Sequence, residues 1–294
     1  MVSDLVESAP AKVNLTLRVL GQRADGYHDI ESLVVFADFG DRLSLTPGAD
    51  LTLSVAGPGA AQTGAETDNL VVKAALALAA RVTQLRAGAF RLEKNLPVAA
   101  GLGGGSADAA AALRLLARAN DLAPDDPRLY EAARVTGADV SVCLDPRPRV
   151  MRGIGEILSA PLALPRLSAL LVNPGIAVPT KLVFSGWKPS ANLAPVSVGA
   201  TDLAVLARVP NERQLLDWLM GEVNDLEAPA VALERAIADV LASLHGAAGC
   251  RLARMSGSGA TCFALFSSAA ETATAAKNLR AQFPHWWIIE TALG

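Results

Sequence analysis

A run of glycines beside an alanine-rich segment constrains the fold more than any other feature of this sequence. Residues 101–120 read GLGGGSADAAAALRLLARAN, so a flexible loop leads directly into strong helix formers. Glycine lets a backbone approach a ligand closely and adopt positive φ, and a helix N-terminus offers unpaired N–H groups with about half a positive charge. The segment predicts an anion site at the start of a helix from Ser106 to Ala119, although a tight turn under a core helix fits the same pattern.

Two widespread phosphate-binding motifs do not match this loop. A Walker loop carries a lysine that reaches the terminal phosphates, and residues 101–108 contain none. A Rossmann fingerprint matches at Gly101 and Gly103 but has Ser106 in place of its third glycine, which disfavours a Rossmann oxidoreductase. Ser106 can instead cap the helix, or give its hydroxyl to an anion or a metal.

The pattern around the loop predicts an α+β fold. In the first half, strands are predicted at 11–20, 31–38, 42–55 and 88–97, and helices are predicted to begin at the N-cap Asp68, at Ser106 and at Asp126. In the second half, strands are predicted at 168–175 and 286–293, helices at 211–221, 229–244 and 269–283, and a glycine turn between apolar segments at 253–266.

Four prolines in residues 145–167 mark the best candidate for a domain boundary. We expect an N-terminal domain over residues 1–160, with a mixed or antiparallel sheet and helices. A C-terminal domain over residues 161–294 is expected to be a split β-α-β, ferredoxin-like layer.

Composition narrows the class of protein. The formal net charge of −3 disfavours a broad nucleic-acid surface, and no apolar run reaches the roughly 18 residues that span a bilayer. The first residues carry acids and a proline where a signal peptide needs a basic start. Cys143, Cys250 and Cys262 are far apart, which predicts buried reduced thiols and a cytoplasmic protein.

Three stretches resemble the motifs of the GHMP kinase superfamily. They are PAKVNLTLRVLGQRADGYHDIES at 10–32, LPVAAGLGGGSADAAAAL at 96–113 and RMSGSGATCFALF at 254–266. The DGYH at residues 25–28 resembles specifically the family of 4-diphosphocytidyl-2-C-methyl-D-erythritol kinases. Further similar segments are DNL at 68–70, GADVSVCL at 137–144, GIGEIL at 153–158 and NPGIAVPTKLVF at 173–184. The resemblance spans nearly the whole chain.

The resemblance implies transfer of the γ-phosphate of ATP to the 2-hydroxyl of 4-diphosphocytidyl-2-C-methyl-D-erythritol, in the non-mevalonate route to isoprenoids. It also implies that backbone N–H groups of one loop wrap the ATP phosphates, with Asn69 and Asp68 bordering the nucleotide. The implied loop residues are Pro97, Val98, Ala99, Ala100, Gly101, Leu102, Gly103, Gly104, Gly105, Ser106 and Ala107.

Asp139 matches the catalytic carboxylate of the family, which acts as general base or orients the acceptor hydroxyl. Lys12 matches its lysine partner, which keeps the carboxylate ionised and stabilises developing charge. From the residues alone, Asp139 as a helix or strand cap and Lys12 as a solvated strand-edge lysine fit as well.

The remaining site residues are implied by the same resemblance. Asn14 lies two residues from Lys12 and would contact the acceptor, while Tyr27 and Phe184 would stack on the cytosine from opposite sides. The full implied acceptor set is Asn14, Tyr27, His28, Thr180, Phe184, Gly257, Ser258 and Gly259. Arg23 either supports the turn or contacts the diphosphate. Mg²⁺ should accompany ATP, with Ser106 as the best single candidate ligand.

Two other functions are weighed against this one. A related kinase of mevalonate, homoserine or a sugar would share the phosphate loop without a reason to keep DGYH. A non-catalytic nucleotide sensor would be expected to lose Lys12 or Asp139. We expect a small-molecule kinase, a monomer or weak homodimer, with no nucleic-acid or membrane partner.

Overall fold

The computed structural model describes residues 4–189, 206 and 211–294. Within these ranges the strands are β1 Leu5–Asn14, β2 Arg18–Gln22, β3 His28–Thr46, β4 Thr52–Ala56, β5 Ala89–Glu93, β6 Arg149–Gly153, β7 Ile157–Leu158, β8 Leu167–Asn173, β9 Cys250–Met255, β10 Cys262–Phe266 and β11 Trp287–Leu293. The helices are α1 Leu70–Ala79, α2 Gly104–Ala119, α3 Pro127–Thr136, α4 Val140–Leu144, α5 Thr180–Gly186, α6 Glu212–Met220, α7 Glu227–Leu233, α8 Ala236–His245 and α9 Ala269–Gln282. The predicted α+β class is confirmed.

Two compact units divide the chain, and each is assembled from more than one stretch. The first comprises the chain up to Lys12, Phe39–Val98 and Gly103–Pro146, and the second comprises Val13–Asp38, Ala99–Leu102 and Arg147–Gly294. Strand β3 contributes residues to both units. The division of the sequence between residues 160 and 161 stays a prediction.

In the first unit, the C-terminal part of β3 pairs antiparallel with β5, and β4 pairs with β5 in parallel, which makes a mixed sheet. Helix α2 is buried along most of its length, and its four consecutive alanines from Ala109 to Ala112 are fully buried. Small side chains let α1 and α4 pack closely against α2, which explains why this helix is rich in alanine. The helix after the glycine loop is therefore a core helix.

In the second unit, four antiparallel strands follow the order β11-β8-β10-β9. Helix α8 precedes β9 and α9 precedes β11, so the connectivity is that of a split β-α-β layer. The core combines β10 residues such as Phe266 with α8 residues such as Ile237 and Leu244. The predicted ferredoxin-like arrangement is confirmed, and the glycine turn joins β9 to β10.

Several element boundaries differ from the prediction. The strand predicted at 11–20 is two strands, because the chain leaves the ladder after Asn14 and Leu17 donates its N–H to the carbonyl of Val223. Leu15 and Leu17 remain buried, so the alternation that indicated one strand persists through the break. The helix predicted at 229–244 is divided at Glu234 and Arg235.

Two predicted helix caps are also wrong. Asn69, rather than Asp68, caps α1, since its side chain accepts the N–H of Val71 at 3.0 Å. Helix α2 begins at Gly104 with Gly103 as its N-cap, so Ser106 lies inside the first turn instead of capping it. Gly103 has φ +62° and no side chain, so no side-chain capping hydrogen bond forms at this end.

Candidate active site

The glycine loop contains three residues with positive φ at alternate positions. They are Ala99 (52°), Gly101 (76°) and Gly103 (62°). Left-handed residues in a tight loop can turn backbone N–H groups toward one concave side, and such nests bind anions. This backbone suits an anion such as a phosphate, although the loop lacks a Walker lysine.

The start of α2 adds further N–H donors to this segment. The first α-helical hydrogen bond joins the N–H of Ala107 to the carbonyl of Gly103 at 2.8 Å, so the N–H groups of Gly104, Gly105 and Ser106 precede the helical ladder. Within the described residues the Ser106 hydroxyl forms no hydrogen bond, and this residue is half-buried. The first turn of α2 thus offers amides, a hydroxyl and the positive end of a helix dipole.

Lys12 and Asp139 form an ion pair in the first unit, with Nζ 3.0 Å from Oδ2. The side chain of Lys12 is only 5% exposed and that of Asp139 is 34% exposed, so the carboxylate keeps access to solvent or substrate. Lys12 is therefore no solvated strand-edge lysine. Asp139 occupies the N-cap position of α4, yet its side chain makes no capping hydrogen bond.

The loop of residues 97–107, whose backbone is implied to bind phosphate, is called the phosphate loop from here on. Gly103 brings this loop against the ion pair. A Cβ atom at Gly103 would lie 3.1 Å from Cε of Lys12 and 3.8 Å from Oδ2 of Asp139. The close approach and the positive φ both require glycine here. Cys143 on the neighbouring α4 is a neutral spectator, because burial, reinforced by the charge of Asp139, raises the pKa of its thiol to about 12.

In the second unit, Ser256 ties the end of β1 to the phosphate loop. Its hydroxyl accepts the N–H of Asn14 at 3.1 Å and donates to the carbonyl of Gly101 at 2.9 Å. The Asn14 amide donates to Ser32 at 2.7 Å, which sets the orientation of its side chain. Sequence reasoning missed Ser256, and its place before the glycine turn was the only signal for it.

The glycine turn between β9 and β10 packs closely on this network. Asn224 donates to the carbonyls of Met255 and Gly257 at 2.8 Å each, and a Cβ at Gly257 would lie 3.4 Å from Oδ1 of Asn14. Ser258 hydrogen-bonds Thr180 at the start of α5, with 2.8 Å between the hydroxyl oxygens. Gly259 follows with φ +85°. The second unit thus brings these implied acceptor residues together.

An aromatic cluster lies at the DGYH turn. The ring of His28 is 5.1 Å from that of Phe184, tilted by 31°, and 6.0 Å from that of Trp187, edge-on. Tyr27 is 60% exposed, and no ring partner for it occurs among the described residues. An exposed aromatic beside a paired one can stack on a planar ligand. Trp187 was not among the predicted site residues, since nothing in the sequence places it beside His28.

Arg23 supports the turn. Its guanidinium donates to Asp29 at 2.8 Å from Nε and at 2.6 Å from Nη2, and approaches Glu156 at 3.5 Å. The hydrogen bond from Arg23 lowers the pKa of Asp29. The turn is closed by the N–H of Tyr27, which donates to the Asp25 carboxylate at 3.0 Å. Arg23 was predicted either to support the turn or to contact the diphosphate, and these contacts show that it supports the turn.

Other potential binding features were sought over residues 4–189, 206 and 211–294. This part of the chain contains no group of three or more His, Cys, Asp or Glu residues arranged to hold a metal. It also contains no helix that combines the length and the apolarity required to cross a bilayer. Cys143, Cys250 and Cys262 are free thiols, of which Cys143 and Cys262 are buried, as predicted, and Cys250 is half-buried.

Comparisons with known proteins agree with the motifs. The family model for the GHMP kinases N terminal domain matches residues 69–145, and the model for the GHMP kinases C terminal matches residues 207–285. A protein of Rhodopseudomonas palustris (strain HaA2) named 4-diphosphocytidyl-2-C-methyl-D-erythritol kinase is 57% identical over 97% of this chain and 96% of its own length.

Solved structures support the same assignment. A crystal structure of 4-(cytidine 5'-diphospho)-2C-methyl-D-erythritol kinase matches with a TM-score of 0.75 and 34% identity, covering 99% of each chain. Homoserine kinase from Cytophaga hutchinsonii matches with a TM-score of 0.66 at 18% identity, over 99% of this chain and 95% of its own, which shows the shared fold alone. This chain therefore belongs to the 4-diphosphocytidyl-2-C-methyl-D-erythritol kinase family of the GHMP kinases, which are ATP-dependent small-molecule kinases.

Proposed function

We propose that the protein transfers the γ-phosphate of ATP to the 2-hydroxyl of 4-diphosphocytidyl-2-C-methyl-D-erythritol. The products are the 2-phosphate and ADP, in non-mevalonate isoprenoid precursor biosynthesis. The observation that carries the proposal is the Lys12–Asp139 pair at 3.0 Å, with Gly103 of the phosphate loop against it. The relatives that share this activity in their names are more than half identical to the chain, which supports the choice of acceptor.

The phosphate loop is proposed to hold ATP. Its alternating φ angles from Ala99 to Gly103 and the first amides of α2 supply N–H donors for the phosphate oxygens. Pro97 and Val98 lead into the cradle, and Ala107 anchors its end inside the core with 1% exposure. Backbone amides in fixed positions stabilise phosphate charge without the reorganisation that water would need.

Phosphoryl transfer is assigned to the ion pair. The carboxylate of Asp139 accepts the proton of the acceptor hydroxyl as its oxygen bonds to the γ-phosphorus, and the bond to the bridging oxygen of ADP breaks. The ammonium of Lys12 pairs with this carboxylate and offsets negative charge that develops on the transferred group. Because Lys12 is buried, its charge acts in surroundings that screen it weakly.

Acceptor recognition is assigned to the second unit. Tyr27 would stack on the cytosine, with Phe184 on its other face, while His28 would read the base edge. Asn14 would contact the polyol, together with the hydroxyl pair of Thr180 and Ser258 and the flanking glycines Gly257 and Gly259. The side-chain oxygen of Asn69 caps α1, and its amide NH2 group would border the nucleotide.

Mg²⁺ is proposed as the cofactor, and it supplies neutralisation of charge on the β- and γ-phosphates when bound. The chain offers one fitting donor in the phosphate loop. The hydroxyl of Ser106 is a hard oxygen ligand in the first turn of α2, and it makes no hydrogen bond to the described residues. Ser106 is therefore proposed as the protein ligand.

We further propose a cytoplasmic protein that acts as a monomer or weak homodimer, with a small molecule as its acceptor and neither nucleic acid nor membrane as a partner. ATP is a cytoplasmic substrate, and the free thiols suit a reducing compartment. Light scattering after size exclusion over a concentration series tests the oligomeric state. A stable tetramer at low concentration would contradict it.

Formation of ADP tests the proposed function. The protein is incubated with ATP, Mg²⁺ and one acceptor at a time: the cytidine diphosphate polyol, homoserine or mevalonate. We expect turnover with the first acceptor and none with the others, because homoserine and mevalonate have no base to stack on Tyr27. Turnover with another alcohol alone would refute the proposal, and binding of ATP without any turnover would favour a nucleotide sensor.

A further inference from the structure

Asn224 lies in a short stretch that joins the link between β1 and β2 to the segment before α7. Leu17 donates its N–H to the carbonyl of Val223 at 2.9 Å, and its own carbonyl accepts the N–H of Asp225 at 2.8 Å. This isolated parallel bridge places the backbone of Asn224 beside Leu17. Asn224 is only 6% exposed, so its side-chain amide needs hydrogen-bond partners inside the protein.

The side chain of Asn224 is directed at the glycine turn between β9 and β10. Its Nδ2 donates to the carbonyls of Met255 and Gly257 at 2.8 Å each, and its Oδ1 accepts the N–H of Leu226 at 3.0 Å. A side-chain amide has two N–H donors, and both are used here. Asn224 therefore has no donor left for a ligand, and it can act on one only through the turn that it holds.

The peptide group between Gly257 and Ser258 is oriented by one of these bonds. It is trans, so the N–H of Ser258 points away from the carbonyl that Asn224 holds. This N–H forms no hydrogen bond with any described residue, although Ser258 is only 8% exposed. Buried backbone donors are nearly always paired. An oxygen of a bound ligand is the partner that this geometry favours.

The two serines that flank Gly257 link the turn to further implied acceptor residues. The hydroxyl of Ser256 accepts the N–H of Asn14 at 3.1 Å, and that of Ser258 lies 2.8 Å from the hydroxyl of Thr180. A change in the backbone angles at Gly257 would move both contacts, because both serines adjoin it. The orientation of the turn therefore governs several of the residues assigned to the acceptor.

We propose that Asn224 is a positioning residue for the acceptor, and that it aims the N–H of Ser258 at an oxygen of that molecule. This inference rests on the proposed function, in which the glycine turn contacts the acceptor. Without the amide, the carbonyls of Met255 and Gly257 each lose a buried donor, and the turn reorients. Displacement of a substrate-positioning group by about 1 Å can lower the rate about a hundredfold.

Steady-state kinetics with the cytidine diphosphate polyol and calorimetric titration of ATP test this role in two variants. Asn224→Asp keeps the size of the side chain and an oxygen for Leu226, and it sets a carboxylate oxygen against the two carbonyls. We expect its kcat/KM for the acceptor to fall about a hundredfold. Asn224→Ser keeps a single donor, and its kcat/KM should fall about tenfold, as expected for loss of one buried hydrogen bond. The Kd of ATP should stay unchanged, because the side-chain hydrogen bonds of Asn224 to described residues all lie outside the phosphate loop.

Glu222→Gln is the matched control. Glu222 lies just before Asn224 in the same stretch, and its carboxylate pairs with Arg18 at 2.9 Å. This variant should lower the melting temperature, because it loses the charge of the ion pair, and keep the kcat/KM for the acceptor. The comparison separates positioning of the acceptor from stability of the fold.

Three outcomes would overturn the account. A kcat/KM for the acceptor that stays at the unmodified value in Asn224→Ser refutes the positioning role, whether or not Asn224→Asp folds. A rise in the Kd of ATP as large as the loss of kcat/KM refutes the assignment of Asn224 to the acceptor. If the unmodified chain phosphorylates no acceptor, the proposed function itself fails.

Discussion

Replacement of Asp139 by Asn tests the role assigned to the ion pair. The substitution keeps the shape of the side chain and removes its negative charge and its ability to take a proton. Lys12 then lies 3.0 Å from a neutral amide or its oxygen instead of a carboxylate. We therefore expect loss of turnover with little change in ATP binding, because the loop amides that would hold ATP are untouched.

The expected size of the effect follows from the chemistry and the exposure. A positioned general base contributes about 10²- to 10⁴-fold, so kcat should fall by that factor, or about 3–5 kcal/mol of transition-state stabilisation. Solvent partly screens the 34% exposed carboxylate of Asp139, but Lys12 is only 5% exposed and would lose its partner, so the free energy of unfolding should fall by about 1–3 kcal/mol.

Rapid-quench single-turnover measurement of ADP, together with calorimetric Kd values for ATP, gives both quantities. Glu131→Gln is the control: it makes the same charge change at a 60% exposed carboxylate that pairs with Arg81 in the same unit. Its kcat should equal that of the unmodified protein. Retention of turnover by Asp139→Asn within tenfold would show that the carboxylate neither takes the proton nor orients the hydroxyl.

Three further predictions concern other parts of the molecule. Tyr27→Ala should raise the KM for the cytidine substrate roughly tenfold in steady-state assays, since base stacking contributes about 1–3 kcal/mol, while Tyr27→Phe should keep it. Gly103→Ala should lower kcat, because it combines positive φ, which costs about 1–2 kcal/mol, with crowding of Lys12. Ellman's reagent at pH 8 should label at most Cys250 in the native protein, because burial holds the pKa of Cys143 at about 12.

The Gly103→Ala prediction has a control variant, and the other two have outcomes that would contradict them. Gly48→Ala, whose Cβ would meet its nearest atom at 3.7 Å, should leave kcat unchanged. If Tyr27→Ala weakens only ATP binding, the assignment of Tyr27 to the cytosine of the acceptor is wrong. Rapid labelling of all three thiols before unfolding would contradict the burial of Cys143 and Cys262.

The fold was predictable from the sequence because its signals are local. Apolar periodicity located most strands and helices, and the three family motifs identified the two-domain GHMP arrangement. Local signals failed where contacts between residues distant in sequence set the boundary of an element. The break after β1 is invisible in the alternation, because Leu15 and Leu17 both stay buried although the N–H of Leu17 bonds to the carbonyl of Val223. Ser106 was predicted as the cap because serine is a preferred N-cap residue, but the helix begins two residues earlier, at Gly104, without a side-chain cap.

The site was predictable in part for the same reason. Lys12 and Asp139 could be paired only through the resemblance, since 126 intervening residues hide any spacing signal. Ser256 and Trp187 escaped notice because nothing in the sequence states which residues the fold brings beside Asn14 and His28. A lysine near the end of a strand, such as Lys12, reads as solvated until the fold encloses it.

The identity of the phosphorylated product tests the central claim most directly. The protein is incubated with ATP, Mg²⁺ and 4-diphosphocytidyl-2-C-methyl-D-erythritol, and the product is analysed by phosphorus and carbon NMR. We expect one new phosphomonoester at the tertiary 2-hydroxyl, formed in equal amount to ADP and absent with Asp139→Asn. A phosphate on any other hydroxyl, or ADP formed without a phosphorylated acceptor, would contradict the account.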